Sequence, residues 1–114
     1  MAIIKIDRQP TKDDIKQLTQ EYPKYIKLSA DIYQQILYGG SRLHFDCEQK
    51  LMINENSKNI DIWSGGLNLL TKKIEYDAVA NIKPLLDNPS TEILDSKTRQ
   101  EFKNIIKQYF PDYE

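Results

Sequence analysis

The spacing of apolar residues changes several times along the chain, and each change marks an element. Ala2 to Ile6 is short and rich in isoleucine, which predicts a strand. Thr11, behind Pro10, is a good N-cap, and Asp13 and Asp14 follow where a helix dipole favours negative charge. Ile15, Leu18 and Tyr22 then form one narrow helical stripe, ended by Pro23. From Tyr25 to Tyr33 the period becomes two: Ile26, Leu28, Ala30 and Ile32 alternate with Tyr25, Lys27, Ser29, Asp31 and Tyr33. Gln34-Gln35 reads as a tight turn into a further strand, Ile36-Leu37-Tyr38.

Alternation returns between Leu43 and Ile53. Leu43, Phe45, Cys47, Leu51 and Ile53 fall on one face, and His44, Asp46, Glu48, Lys50 and Met52 on the other. CEQKLMI is also built of good helix formers. The strand is preferred because the next segment complements it. An antiparallel hairpin around Asn54–Asn59 puts Ile53 opposite Ile60 and Leu51 opposite Ile62, with Met52 opposite Asp61 and Lys50 opposite Trp63. Leu67-Asn68-Leu69, a turn near Thr71-Lys72 and a return over Lys73 to Lys83 predict a meander pairing Leu69 with Ile74 and Leu67 with Tyr76. Pro84 to Thr91 is a loop. Asp95 caps a last helix, in which Phe102, Ile105, Ile106, Tyr109 and Phe110 give the strongest helical pattern of the chain, stopped by Pro111. The expected fold is a single α+β domain over residues 1–114: a mostly antiparallel five- to six-stranded sheet with two amphipathic helices packed on one face. The other face is left for solvent, a ligand or a partner.

Composition narrows the function classes. With 114 residues, 39% of them hydrophobic and 29% charged, the chain suits one soluble core. Its 16 basic and 17 acidic residues form no block of like charge, which argues against an electrostatic footprint for nucleic acid or anionic lipid. The single Cys47 suits a reducing compartment. The apolar start is too short for a signal-peptide core, and no run is long enough to span a bilayer. A cytoplasmic location without membrane contact is expected.

Candidate chemistry gathers between Gly39 and Gly66, a stretch that holds the only His, Cys and Trp and all four glycines. On a strand, His44, Asp46 and Glu48 would share one face, joined by Asp61 and Trp63 from the neighbouring strand and by Asp31 two strands away. His44, Asp46 and Asp61 are therefore the candidate ligands of a divalent metal, and His44, Asp46, Glu48 and Asp61 the candidate catalytic residues. The competing reading is an ordinary polar face of a half-exposed sheet, with Asp31, Tyr33 and Trp63 as an interface or ligand face. Cys47 and His44 would point to opposite faces, which argues against a nucleophile–base pair. The glycine pairs match no phosphate-binding loop and read as bends or close approaches. Exposed aromatics could serve single-stranded nucleic acid, but only Lys27 and Lys50 accompany them. Lys97, Arg99, Lys103 and Lys107 read as a solvated flank of the last helix.

YIKLSADI, the Gly39-Gly40 pair, LHFDCE, WSGG, NIKP and EILD before a helix together resemble a family of short prokaryotic proteins, frequent in cyanobacteria, known only as a domain of unknown function. Leu43 to Glu48 followed by Trp63 and Gly65-Gly66 is the most specific part, and Ser64 stands where the family carries a glycine. The resemblance implies a bacterial cytoplasmic protein and supplies no activity, substrate or catalytic residue. The first functional expectation is thus a small non-enzymatic interaction module that binds a protein or self-associates through its open sheet face, without a cofactor. The alternative is a divalent-metal-dependent hydrolase or nuclease using His44, Asp46, Glu48 and Asp61.

Overall fold

A computed structural model describes residues 3–114 and places five strands and three α-helices among them. The strands are β1 (Ile4–Ile6), β2 (Tyr25–Asp31), β3 (Ile36–Gly39), β4 (Ile62–Asn68) and β5 (Lys73–Glu75), and the helices are α1 (Lys12–Leu18), α2 (His44–Glu55) and α3 (Ser96–Tyr109). The sheet runs β1-β3-β2-β4-β5 with every neighbouring pair antiparallel, so the α+β class and the five-stranded antiparallel sheet stand as expected. Ala2, the first residue of the expected opening strand, lies outside the described residues.

Alternation on β2 decides the two sides of the sheet. Ile26, Leu28 and Ala30 face a core completed by Leu37, Trp63, Leu67 and Ile74 from the other strands. α1 adds Leu18, and α3 adds Phe102, Ile105 and Ile106. The start of α1 is fixed by a capping box: Thr11 accepts from the Asp14 N–H, and the Asp14 carboxylate accepts from the Thr11 N–H. Asp95 caps α3 through the Thr98 N–H.

Residues 43–53 are where the sequence reading fails. They form α2, not a strand, and the expected hairpin with residues 60–63 does not exist. β4 pairs instead with the middle of β2, Ala30 beside Trp63 and Ser29 beside Ser64. α2 lies on the second side of the sheet, where Cys47 and Leu51 pack with Tyr38 and Ile62 in a small separate core. The face expected to stay open is therefore largely covered. The inward stripe of α2 is His44, Cys47, Glu48, Leu51 and Glu55, three of the five polar, while Leu43, Phe45, Met52 and Ile53 point outward. Apolar residues displayed to solvent counterfeit a period of two, and buried polar ones erase the period of 3.6.

The β4–β5 hairpin also differs from expectation. Leu67, not Leu69, stands opposite Ile74, because the turn has four residues. The Asn68 side chain accepts from the Leu70 and Thr71 N–H groups, and its carbonyl accepts from Lys72, which takes a left-handed φ of 60°. β5 stops at Glu75, and the chain from Asp77 to Leu94 crosses, as short turns, the edge of β4 that β5 leaves unpaired. Two buried asparagines organise that crossing. Asn81 meets β4 as a strand would: its Oδ1 accepts from the Ser64 N–H at 2.8 Å, and its Nδ2 donates to the Ser64 carbonyl at 2.8 Å. Asn88 donates to the carbonyls of Asn81, Ser90 and Glu92 and accepts from the Leu94 N–H.

Candidate functional site

The change from strand to helix redistributes every candidate residue. On α2, His44 and Glu48 lie one turn apart on the inward face, whereas Asp46, two residues from each, sits about 200° round the helix axis. Asp61 ends a short 3₁₀ turn, Asn59–Asp61, that leads into β4. Among the described residues no group of three or more His, Cys, Asp or Glu side chains is placed to hold a metal ion. His44, Asp46 and Asp61 do not converge, and nothing in this arrangement favours the metal-dependent hydrolase.

The polar groups on the inward stripe of α2 are each tied to a different element. The Gly65 carbonyl lies 2.7 Å from His44 Nε2, and since a carbonyl only accepts, Nε2 carries the hydrogen. Burial pushes the imidazole below its ordinary value of 6.5, opposed by that carbonyl and assisted by the charge of Lys27. The ring is therefore neutral at pH 7, with Nδ1 a bare acceptor. Glu48 is only 7% exposed, and its Oε1 accepts from Asn59 Nδ2 at 2.6 Å. Asn59 in turn accepts from the buried Lys83 ammonium through its backbone oxygen at 3.0 Å and its Oδ1 at 3.1 Å. Burial raises the Glu48 pKa and lowers that of Lys83, and the attraction between the two charges opposes both shifts. Glu55, at the far end of the helix, accepts from the Tyr38 hydroxyl at 2.7 Å and pairs with Lys5 at 3.1 Å. Cys47 is fully buried, with its thiol pKa raised by desolvation. It stands one turn from His44, not across a sheet from it, and burial alone keeps it from acting as a nucleophile.

Trp63, expected on an exposed face, is 5% exposed and belongs to the main core, with the Lys83 ammonium 5.5 Å from its ring centre. Asp31 is also buried. Its carboxylate is consumed by the N–H groups of Tyr33 and Gln34, the Gln34 amide and the Ser57 hydroxyl. Tyr33 is exposed.

Two concave regions at the surface involve the candidate residues. The first is a groove of about 370 Å³ between the first turns of α2 and the Val79–Ala80 segment, at the end of the sheet that α2 leaves uncovered. Lys27, His44 and Glu48 line it together with Leu43, Phe45 and Val79, whose exposures are 54%, 58% and 76%. The second region is a pair of hollows on either side of Ile60. One is lined by Asp31, Tyr33, Gln34 and Asp61, and the other by Ile32, Trp63, Leu86 and Leu94. Three of the residues expected to form an interface thus border one surface, at its floor and rim, without sharing a sheet face.

Beside this surface the turn Pro84–Leu86 carries Leu85 at 99% exposure. The turn is rigid: Lys83 and Asn88 exchange both backbone hydrogen bonds, at 2.7 and 3.1 Å, and Asp87 takes a left-handed φ of 56°. Sequence reasoning placed Ile60 on the core face of a hairpin, whereas it is exposed, and passed over Leu85, Asn59 and Lys83. The Leu85-Leu86 pair inside a loop of prolines and asparagines was the one visible signal. A lysine buried under a 3₁₀ turn leaves none.

No curated protein and no solved structure matches this chain. Residues 3–109 match the family model described as Protein of unknown function (DUF5674), which agrees with the resemblance carried by the glycine pairs and the LHFDCE segment, and the chain belongs to that family.

Proposed function

We propose that this protein is a small non-enzymatic interaction module that binds another protein, or a second copy of itself, through the apolar surface around Ile60. The observation that carries the reading is Leu85, a leucine almost wholly in water on a turn stiffened by paired backbone hydrogen bonds. Holding a large apolar side chain in water on a rigid support stabilises nothing within the monomer. Beside it, Ile60, Leu86 and Leu94 remain exposed around a hollow of about 560 Å³ with Trp63 in its wall. Contiguous exposed apolar surface of this kind marks interaction sites, and a preformed hollow with an aromatic wall matches the anchor geometry of protein interfaces. The balanced charge of the chain points to apolar contact, not electrostatic steering, as the source of affinity.

Sedimentation velocity over a wide concentration range, combined with cross-linking in cells, tests this. The wild type is expected to form a dimer or a stoichiometric complex that Leu85→Glu and Ile60→Glu abolish, while both variants melt like the wild type. A wild type that stays monomeric and cross-links to the same proteins, in the same amounts, as Leu85→Glu would remove the proposal.

A further inference from the structure

The groove at the start of α2 shares no lining residue with the surface around Ile60, and its chemistry is different. Its floor presents hydrogen-bond acceptors with spare capacity. His44 Nε2 is committed to Gly65, so Nδ1 is the acceptor, and it receives no hydrogen bond from any described residue. Glu48 spends Oε1 on Asn59, and its Oε2 takes none from any described residue. Neither atom is sealed inside the protein, since no buried side-chain nitrogen or oxygen among the described residues lacks a partner. His44 and Glu48 both line the groove. Lys27 lines it as well, but its ammonium is drawn over the Tyr22 ring, 5.1 Å from the centre. Exposed Leu43, Phe45 and Val79 form the walls.

We propose that this groove is a binding site for a small planar ligand, about one fused pair of rings, that carries N–H donors along one edge. The edge hydrogen-bonds to Glu48 Oε2 and His44 Nδ1, which the i, i+4 spacing on α2 brings to the same side. The faces of the ring lie against Phe45, Leu43 and Val79. The volume of about 370 Å³ falls within the range of small-molecule sites. A largely buried carboxylate selects a donor-bearing ligand over an apolar one of the same shape, because displacing water from it without replacing the hydrogen bond is costly. Burial keeps the imidazole neutral, which preserves Nδ1 as an acceptor at neutral pH.

The test titrates the ¹⁵N-labelled protein with 2-aminobenzimidazole, and in parallel with 2-methylbenzoxazole, which has the same shape and no N–H. Saturable shift changes are expected at residues 43–48 and at Val79 and Ala80, with 2-methylbenzoxazole at least about tenfold weaker. Glu48→Gln is expected to weaken the 2-aminobenzimidazole complex by about tenfold or more. Phe45→Ala, a change at an exposed position that leaves the fold intact, is expected to weaken both compounds. The proposal is overturned by the absence of saturable shifts, by shifts centred on Ile60, or by equal binding of the two compounds. Undiminished binding in Glu48→Gln or in Phe45→Ala overturns it equally.

Discussion

Replacing Asn81 by alanine tests how the crossing from Asp77 to Leu94 is held. The side chain is fully buried and connects three elements: it accepts from the Ser64 N–H, donates to the Ser64 carbonyl, and donates to the Thr91 carbonyl at 3.0 Å. A fourth, longer contact reaches the Tyr76 carbonyl at 3.4 Å. Truncation strands one buried donor and one buried acceptor, the Ser64 N–H and carbonyl, while the Thr91 and Tyr76 carbonyls keep the bonds they accept from the Ala78 and Ile93 N–H groups. Each unsatisfied group costs about 1–3 kcal/mol, so Asn81→Ala should lose about 2–6 kcal/mol. Set against a total stability of about 5–15 kcal/mol for a domain of this kind, that is a large share. Urea unfolding at neutral pH measures it, as a fall in midpoint at nearly constant slope. Amide exchange adds a local readout, because the Ser64 N–H should lose its protection. Asn81→Asp separates hydrogen bonding from packing: it keeps the acceptor for Ser64 but sets a carboxylate against two carbonyls. It should be at least as damaging at pH 7 and recover in acid, where the protonated acid regains a donor. A loss below about 1 kcal/mol for Asn81→Ala, within the range of ordinary surface changes, would show that the amide does not hold the crossing.

Three further outcomes follow from the geometry. A Cβ on Gly65 would run into the Glu75 carbonyl and lie 3.1 Å from the Phe102 ring, whereas on Gly39 its nearest neighbour is the movable end of Leu28. Gly65→Ala should therefore cost about 1–3 kcal/mol by thermal melting and Gly39→Ala less, and the reverse order would contradict the packing described. The folded-state pKa of His44 lies below 6.5, so the unfolded chain takes up the proton first. The stabilisation from the neutral ring is complete above about pH 6.5 and is lost as pH falls through the folded value; His44→Gln should flatten that acid limb of a stability–pH curve, and an unchanged limb would show that His44 does not set it. Cys47 should react with a thiol reagent only as fast as the protein opens, and rapid labelling of the native state would refute its burial.

Most of the fold was legible where a single principle governs a segment. The Thr11 and Asp95 caps, the alternation on β2 and the long stripe of α3 follow from local rules that tertiary contacts reinforce. α2 defeated the same rules because its inward face need only cover a small core, Tyr38, Cys47, Leu51 and Ile62. The rest of that face is polar, each side chain tied to a partner distant in sequence: Gly65, Asn59, Tyr38 and Lys5. Such pairings have no local signature. The candidate site shared this fate. His44 and Glu48 line one groove, but as neighbours on a helix, without Asp46 or Asp61. The β4–β5 register was missed through the Asn68 side chain, which closes a four-residue turn where a two-residue one was expected.

In the loop that bears Leu85, the atoms that anchor and the atoms that are displayed belong to different residues. Asn81, Asn88 and the backbone of Lys83 hold it in place, while Val79, Ile82, Leu85 and Leu86 contribute surface. Divergence can therefore act on the displayed set without touching the anchors. On the proposed reading of this surface as a docking site, members of the family should vary at positions 82, 85 and 86 and retain both asparagines, so that one inherited frame carries a changeable vocabulary.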